Sequence, residues 1–344
     1  MKPKSFFIFF VALLACGFTT AQTNPVNSVK FFEDTSILKA TITTNMRELL
    51  NHKDKKGVHI PARFASSFED GTVIDQPISL ETRGHFRKGY CYIPPLKVKF
   101  NADATGGLKT LGSLKLVSQC SNAAYSETYL LDEFLVYKLY NLLTNMSFRV
   151  RLVNLNIVDS SGKKKPINEY AFFLEDDKDL AKRNNCNDWK KDGVNGQIVD
   201  RHQMIITSVF EYMIGNTDWS VLAGHNINLL LSKTDSFQHL YPVPYDFDYS
   251  GLVNTTYAVP DPRLNIANVR ERLYRGYTPT TDELNEIFIS FKNQKNNMYS
   301  LVENFQLLKA SDKKEFTSYL DEFFELIDDP YKVRDAFMQN ASKY

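Results

Sequence analysis

Asn216, Asp218, His225 and Asn226 stand within one short stretch, GNTDWSVLAGHN at residues 215–226, and Asp246 and Asp248 follow in PYDFDYS. A carboxamide and a carboxylate are hard oxygen donors of the kind that hold Mg2+ or Mn2+. A further aspartate can position or deprotonate an attacking hydroxyl. Phosphoryl transfer from a nucleotide needs this set, with the metal on the phosphates and the aspartate at the acceptor. Each piece also has a plainer reading. Asn and Asp just after a helix satisfy nearby backbone groups in any exit loop, and YDFDYS would serve as a calcium-type turn or an ordinary acidic loop. His225 reads as a packed or supporting residue, with Asp218 the better base, and Trp189 and Trp219 read as structural.

The elements that must position these residues are visible in the surrounding pattern. Residues 196–214 carry Ile205, Val209 and Met213 at helical spacing, and Gly215 is placed to end that helix. INLLLS and HLYPVP, separated by residues 233–237, predict a hairpin whose open end returns Asp246 to Asn226. The resulting order of base, amide, hairpin and carboxylate is that of a protein-kinase active site. A cation for the phosphates is expected in PPLKVKF, where period-two alternation puts Lys97 and Lys99 on one face, opposite Leu96, Val98 and Phe100. Lys97 is the expected phosphate contact. Its expected partner is Glu133, on a helix over 127–143 that lines up Leu131, Leu135, Leu139 and Leu142. The same lysines would also suit a solvated face on an edge strand.

YMIGNTDWSVLAGHNINLLL followed by PVPYDFDYSG resembles the secreted spore-coat kinase (CotH) family and, more remotely, the HipA-type kinases. The resemblance runs over residues 83–257, about half of the 344-residue chain. It implies that Asp218 is the catalytic aspartate, that Asn226 is a metal ligand and that Asp246 is the metal aspartate. Asp248 stands where a glycine is usual, a departure these families tolerate. Arg83 with Gly84, and Glu175 in AFFLED, are also similar to the spore-coat family, and Glu175 joins Lys97 and Glu133 on the nucleotide side. The N-terminal half has no Gly-x-Gly-x-x-Gly, for which Gly106 and Gly107 are a thin substitute. The implied cofactors are ATP or another nucleotide with Mg2+ or Mn2+, and the implied acceptor is a Ser or Thr of an exported protein. Free ATP is scarce outside the cytoplasm, so a degenerate module that binds a surface protein or glycan is the alternative. A transferase using the same residues on another donor is a second.

The expectation of export rests on the N-terminus. Lys2 and Lys4 precede an apolar run at residues 6–15, and Ala21 closes the layout of a signal peptide over 1–21. The run is too short to span a bilayer. LLAC also reads as a lipoprotein box, in which case Cys16 would carry the lipid. Either way the location is periplasmic or extracellular. Without Lys2 and Lys4, the 41 Lys and Arg become 39 against 40 Asp and Glu, which leaves no electrostatic case for nucleic acid or an anionic membrane. Alternation in Val58, Ile60, Ala62 and Phe64, in Ile78, Leu80 and Thr82, and in Val150, Leu152, Leu155 and Ile157 predicts strands. Thr280 with Glu283 predicts a capping box, and a last helix is expected over 312–327. The polar stretch 176–196 reads as a loop. Together these predict an α+β, two-lobed, kinase-like fold with a strand-rich N-terminal lobe over 22–180 and a helical lobe over 181–344. Cys91 and Cys120 flank strands of the same half and are expected to pair, leaving Cys186 free.

Overall fold

The strands before residue 175 close on themselves. The computed structural model describes residues 28–69, 71–84, 86–100, 108–190, 194 and 198–339. The expected signal peptide, Cys16, Gly106 and Gly107 lie outside the described residues. After a short helix α1 (Ser28–Glu33) come β1 (Leu38–Thr44), helix α2 (Met46–Asn51), β2 (Ile60–Ser67) and β3 (Val73–Thr82). Helix α3 (Phe86–Tyr90), β4 (Leu96–Phe100), β5 (Ser113–Ser118), helix α4 (Ala124–Leu143), β6 (Val150–Asp159) and β7 (Ile167–Leu174) follow. These seven strands form a closed barrel in the order β1-β2-β3-β4-β5-β7-β6.

The barrel corrects the expected two-lobed kinase-like fold. β1 pairs antiparallel with β2 on one side and parallel with β6 on the other, with Leu38 opposite Val153 and Thr44 opposite Asp159. That second pairing removes the open edges that a free-standing lobe sheet would present. The protein is an α+β fold containing a mixed barrel, a small separate sheet and packed helices.

Alternation explains the barrel interior. Ile42, Phe64, Ile78, Leu80, Val98, Leu114, Leu116, Leu155 and Phe173 are buried in one cluster, as expected for a small barrel filled by its own side chains. Each such burial contributes about 1.5–3 kcal/mol relative to exposure. The outer face of β5, β6 and β7 is apolar as well. Val117, Leu152, Phe172 and Leu174 join a second cluster with α4, and the Tyr137 and Phe172 rings meet edge to face at 5.6 Å.

Beyond the barrel, helix α5 (Asp177–Arg183) and strand β8 (Cys186–Trp189) occupy the stretch expected to be a loop, so the boundary drawn at 180 falls inside a helix. Helix α6 (Arg201–Ile214) is capped by Asp200, whose side chain accepts from Gln203 N. The predicted hairpin is present as β9 (Ile227–Ser232) and β10 (Leu240–Pro244), and β8 adds to it as a third strand. Helices α7 (Thr281–Glu303) and α8 (Ala310–Ile327) close the core, and α7 begins with the predicted Thr280/Glu283 capping box. Cys91 and Cys120 are joined, and Cys186 is free and buried. Among the described residues no helix is long and apolar enough to cross a membrane.

Candidate active site

The loop at 215–226 is built by four local devices. Gly215 ends α6 in the left-handed region, at φ 68°, and a Cβ there would overlap the Tyr319 hydroxyl. The chain then turns through Asn216, whose N–H donates to Glu211 O at 2.8 Å and whose Oδ1 accepts from Asp218 N at 3.0 Å. Arg275 grips the loop, donating to Thr217 O and to Trp219 O. Ser220 and His225 exchange backbone hydrogen bonds of 2.9 Å, which folds His225 and Asn226 back onto Asp218.

Asp218 is thereby held on both oxygens. Its Oδ1 lies 2.9 Å from His225 Nε2, and its Oδ2 accepts from Asn226 Nδ2 at 3.1 Å. Asn226 Nδ2 also donates to the Asp218 carbonyl at 2.7 Å. The hydrogen bond to Asp218 raises the His225 imidazole above its ordinary value, favouring its charged form. With its nitrogen used, Asn226 has its Oδ1 left over, which accepts no hydrogen bond among the described residues.

The hairpin brings Asp246 to this point, because Tyr245 N donates to Asn226 O at 3.0 Å across its open end. Asn226 and Asp246 both take left-handed backbone conformations, at φ 52° and 66°. Such conformations cost about 1–3 kcal/mol in most residues and persist where the surroundings impose them. At Asp246 the surroundings are α4 and α6: Asp246 N donates to Tyr137 Oη at 2.8 Å, and Phe247 is wedged against Tyr137 and Phe210 at ring distances of 4.7 and 5.8 Å. The Asp246 carboxylate makes no hydrogen bond or ion pair among the described residues. Among those residues no three of His, Cys, Asp and Glu are grouped to hold a metal by themselves. One amide oxygen and one carboxylate at the ends of neighbouring strands would nevertheless suit Mg2+, which takes one or two carboxylates and completes its shell with substrate phosphates and water.

Beneath Asp246 lies a buried ionic group. Arg87 donates to Ser118 O at 2.6 Å and sits 3.8 Å from Asp248 Oδ2, which also accepts from Tyr257 Oη at 2.9 Å. Burial first, and the charge of Asp246 second, push Asp248 up to about 6 against Arg87 and Tyr257. Glu133 is buried in the same group. Burial, with Asp248 adding to it, holds its carboxyl well above the usual carboxylate range. Among the described residues it has no ion pair with Lys97; the cations it senses are Arg87 and Arg83.

Lys97 does lie on the outer face of β4, with Leu96, Val98 and Phe100 inside the barrel. Its neighbour across the strands is Lys115 on β5. Lys115 Nζ bonds Asp177 Oδ1 at 3.0 Å and sits 4.8 Å from the centre of the Tyr245 ring, next to Asp246. Lys115 escaped the sequence reading, although SLKLVS carries the same alternation as PPLKVKF. Glu175 is taken up by protein donors: Arg183 Nε at 2.8 Å and Nη2 at 3.0 Å, and Arg149 N at 3.1 Å. It ties α5 to the start of β6.

A cavity of about 590 Å³ opens beside Asp218, lined among others by Trp219, His225, Tyr249, Val259, Asp261 and Arg275. It is large enough for an amino-acid side chain with its neighbours or for a small polar molecule. The arrangement therefore places the Asp218 carboxylate on a cavity, with Asn226 hydrogen-bonded to it and Asp246 brought near by the hairpin. Comparison of the chain with protein-family models, with curated proteins and with solved structures gives no match.

Proposed function

We propose that the protein transfers a phosphoryl group from a nucleotide such as ATP to an acceptor hydroxyl, and that it works outside the cytoplasm on an exported protein. The observation that carries this reading is the convergence of Asp218, Asn226 and Asp246, whose carboxylate has no partner among the described residues, at the mouth of the hairpin, with Asp218 on the cavity. The likeness of residues 83–257 to the spore-coat kinases points the same way.

In this reading the acceptor hydroxyl enters from the cavity and lies against Asp218. Its oxygen forms a bond to the terminal phosphorus as the bond from that phosphorus to the bridging oxygen breaks, and a nucleoside diphosphate leaves. Asp218 takes the hydroxyl proton and His225, exposed on its far side, relays it to solvent. Asn226 and Asp246 would hold Mg2+ or Mn2+, which supplies neutralisation of phosphate charge when bound. Lys115 and Lys97 line the barrel side, where the phosphates would lie.

The test is ligand-dependent stability together with label transfer. Nucleotide at about 100 times its dissociation constant stabilises the native state by roughly 2.7 kcal/mol. ATP with Mn2+ should raise the melting temperature by several degrees, ATP with chelator should not, and Asp246→Ala should abolish the shift with little change in the ligand-free value. Labelled phosphate should appear on an acceptor protein or on the protein itself. A wild-type protein showing no metal-dependent shift and no label transfer would overturn the proposal in favour of a module that binds a surface protein or glycan.

A further inference from the structure

Two arginines stand close together where β3 gives way to α3, and they are used differently. Arg87 spends its charge inside the protein, on Ser118 O and Asp248. Arg83 is fixed only through its backbone, whose N–H donates to Pro95 O at 2.8 Å. Among the described residues its guanidinium makes no hydrogen bond or ion pair, and its Nε is buried without a partner. A guanidinium is always charged and offers five donors in a rigid fork. A buried, unsatisfied donor on a permanent cation is costly to the ligand-free fold, and an anion from outside would relieve it.

The surroundings say where that anion would sit. The charge of Arg83 is felt by Glu133, Tyr137 and Tyr245. Tyr137 holds the Asp246 N–H, and Tyr245 precedes Asp246 in the chain. Glu133 makes no ion pair with Arg83 among the described residues, and burial disfavours its charged form, while Asp248 is occupied by Arg87 and Tyr257. The other cations felt by or stacked on Tyr245, Lys115 and Lys190, are both bound to Asp177. Arg83 alone among these described cations has no acid. The segment it begins is anchored at both ends, by the Arg83 N–H bond to Pro95 O and by the Cys91–Cys120 bridge to the chain just after β5.

We propose that Arg83 is a polyphosphate-binding residue, its guanidinium fork engaging phosphate oxygens of the donor on the barrel side of Asp246. This rests on the phosphoryl-transfer reading for the identity of the donor, but an anion site at Arg83 can be tested without it. The experiment measures binding of inorganic tripolyphosphate, and separately of ATP, ADP and adenosine with Mn2+, to the wild type, Arg83→Met and Arg83→Lys by calorimetry, beside ligand-free melting temperatures. Arg83→Met should weaken tripolyphosphate and ATP by about 10- to 100-fold and leave adenosine unchanged, with Arg83→Lys between them. Its ligand-free melting temperature should equal or exceed that of the wild type, because the substitution removes an unsatisfied buried donor. Unchanged tripolyphosphate and ATP affinity in Arg83→Met, or a ligand-free melting temperature several degrees lower, would overturn the proposal. If the wild type binds tripolyphosphate through Arg83 but no nucleotide with Mn2+, the anion site stands and the nucleotide reading fails. If it binds neither, both fail.

Discussion

Asp218→Asn separates chemistry from structure at the centre of the proposed site. The substitution keeps the shape of the side chain and removes its charge. The 2.7 Å bond from Asn226 to the residue-218 carbonyl is untouched, and the 3.1 Å contact at Oδ2 survives with an amide oxygen in the same place. What is lost is the charge assistance at His225, in a pair whose side chains are 55% and 40% exposed. Pairs this exposed are worth under about 1 kcal/mol, so the melting temperature should fall by no more than about 3 °C. Removing a general base lowers turnover by about 10²- to 10⁴-fold, which is roughly 2.7–5.5 kcal/mol of barrier at 1.36 kcal/mol per decade. The two effects thus differ severalfold in free energy and cannot be confused. A third readout follows from linkage. His225 is raised chiefly by its hydrogen bond to Asp218, so its contribution to stability is complete below the ordinary histidine value of about 6.5 and fades as pH rises through the higher folded value. In Asp218→Asn that pH dependence should flatten, and the His225 ring resonances should titrate near the ordinary value. Label-transfer kinetics, thermal melts from pH 5 to 8 and the histidine titration make the assay. Turnover within threefold of the wild type, or a loss of turnover matched by a melting temperature many degrees lower, would refute the reasoning.

Replacing Cys91 and Cys120 by alanine opens a loop of 29 residues and should cost roughly 3–4 kcal/mol in the chain-entropy account, read as a lower urea midpoint that reductant no longer changes. Gly215→Ala should destabilise by at least about 2 kcal/mol, since the left-handed conformation alone costs about 1–2 kcal/mol and the new methyl meets the Tyr319 hydroxyl. Adding Tyr319→Phe should recover the steric part only, and no recovery would mean the overlap is absent. Asp248, pushed up to about 6 by burial, is favoured as the protonated acid in the folded state. Its contribution to stability is therefore present below about pH 4 and lost as pH rises to about 6, and Asp248→Asn should flatten that part of the urea-midpoint profile.

The parts of this molecule that local pattern encodes were readable before the fold was known. α4, α6 and α8 follow from apolar spacing, the capping box from Thr280 and Glu283, and the hairpin from two short apolar runs either side of a polar turn. Asp218, Asn226 and Asp246 came together because a hairpin's geometry is itself local. Barrel closure was not readable, because the pairing of β1 with β6 joins residues far apart in the chain and leaves no periodic trace. β7 shows the difficulty: Ala171 and Phe173 face the barrel interior while Phe172 and Leu174 face α4, so a strand buried on both sides reads as a plain apolar run. Lys115 was not singled out at all, although it is the cross-strand neighbour of Lys97 on one outer face. Alternation identifies the face of a strand but not which strand borders the site. Glu133 was expected to pair with Lys97, and only its tertiary setting, buried beside Asp248, shows that its charged form is disfavoured.

The parallel pairing of β1 with β6 also bears on how the chain reaches its fold. β1 is synthesised well before β6, and one of its edges has no partner until β6 follows, with α4 and four other strands between them. Closing so long a loop is entropically expensive and has to happen before the pairing rewards it, which makes ring closure a slow, late event. Until then the exposed edges of β1 and β6 are templates for pairing with other chains. A polypeptide ending before Val150 would keep the β1 edge open permanently, and is expected to aggregate or to need a chaperone where the whole chain does not.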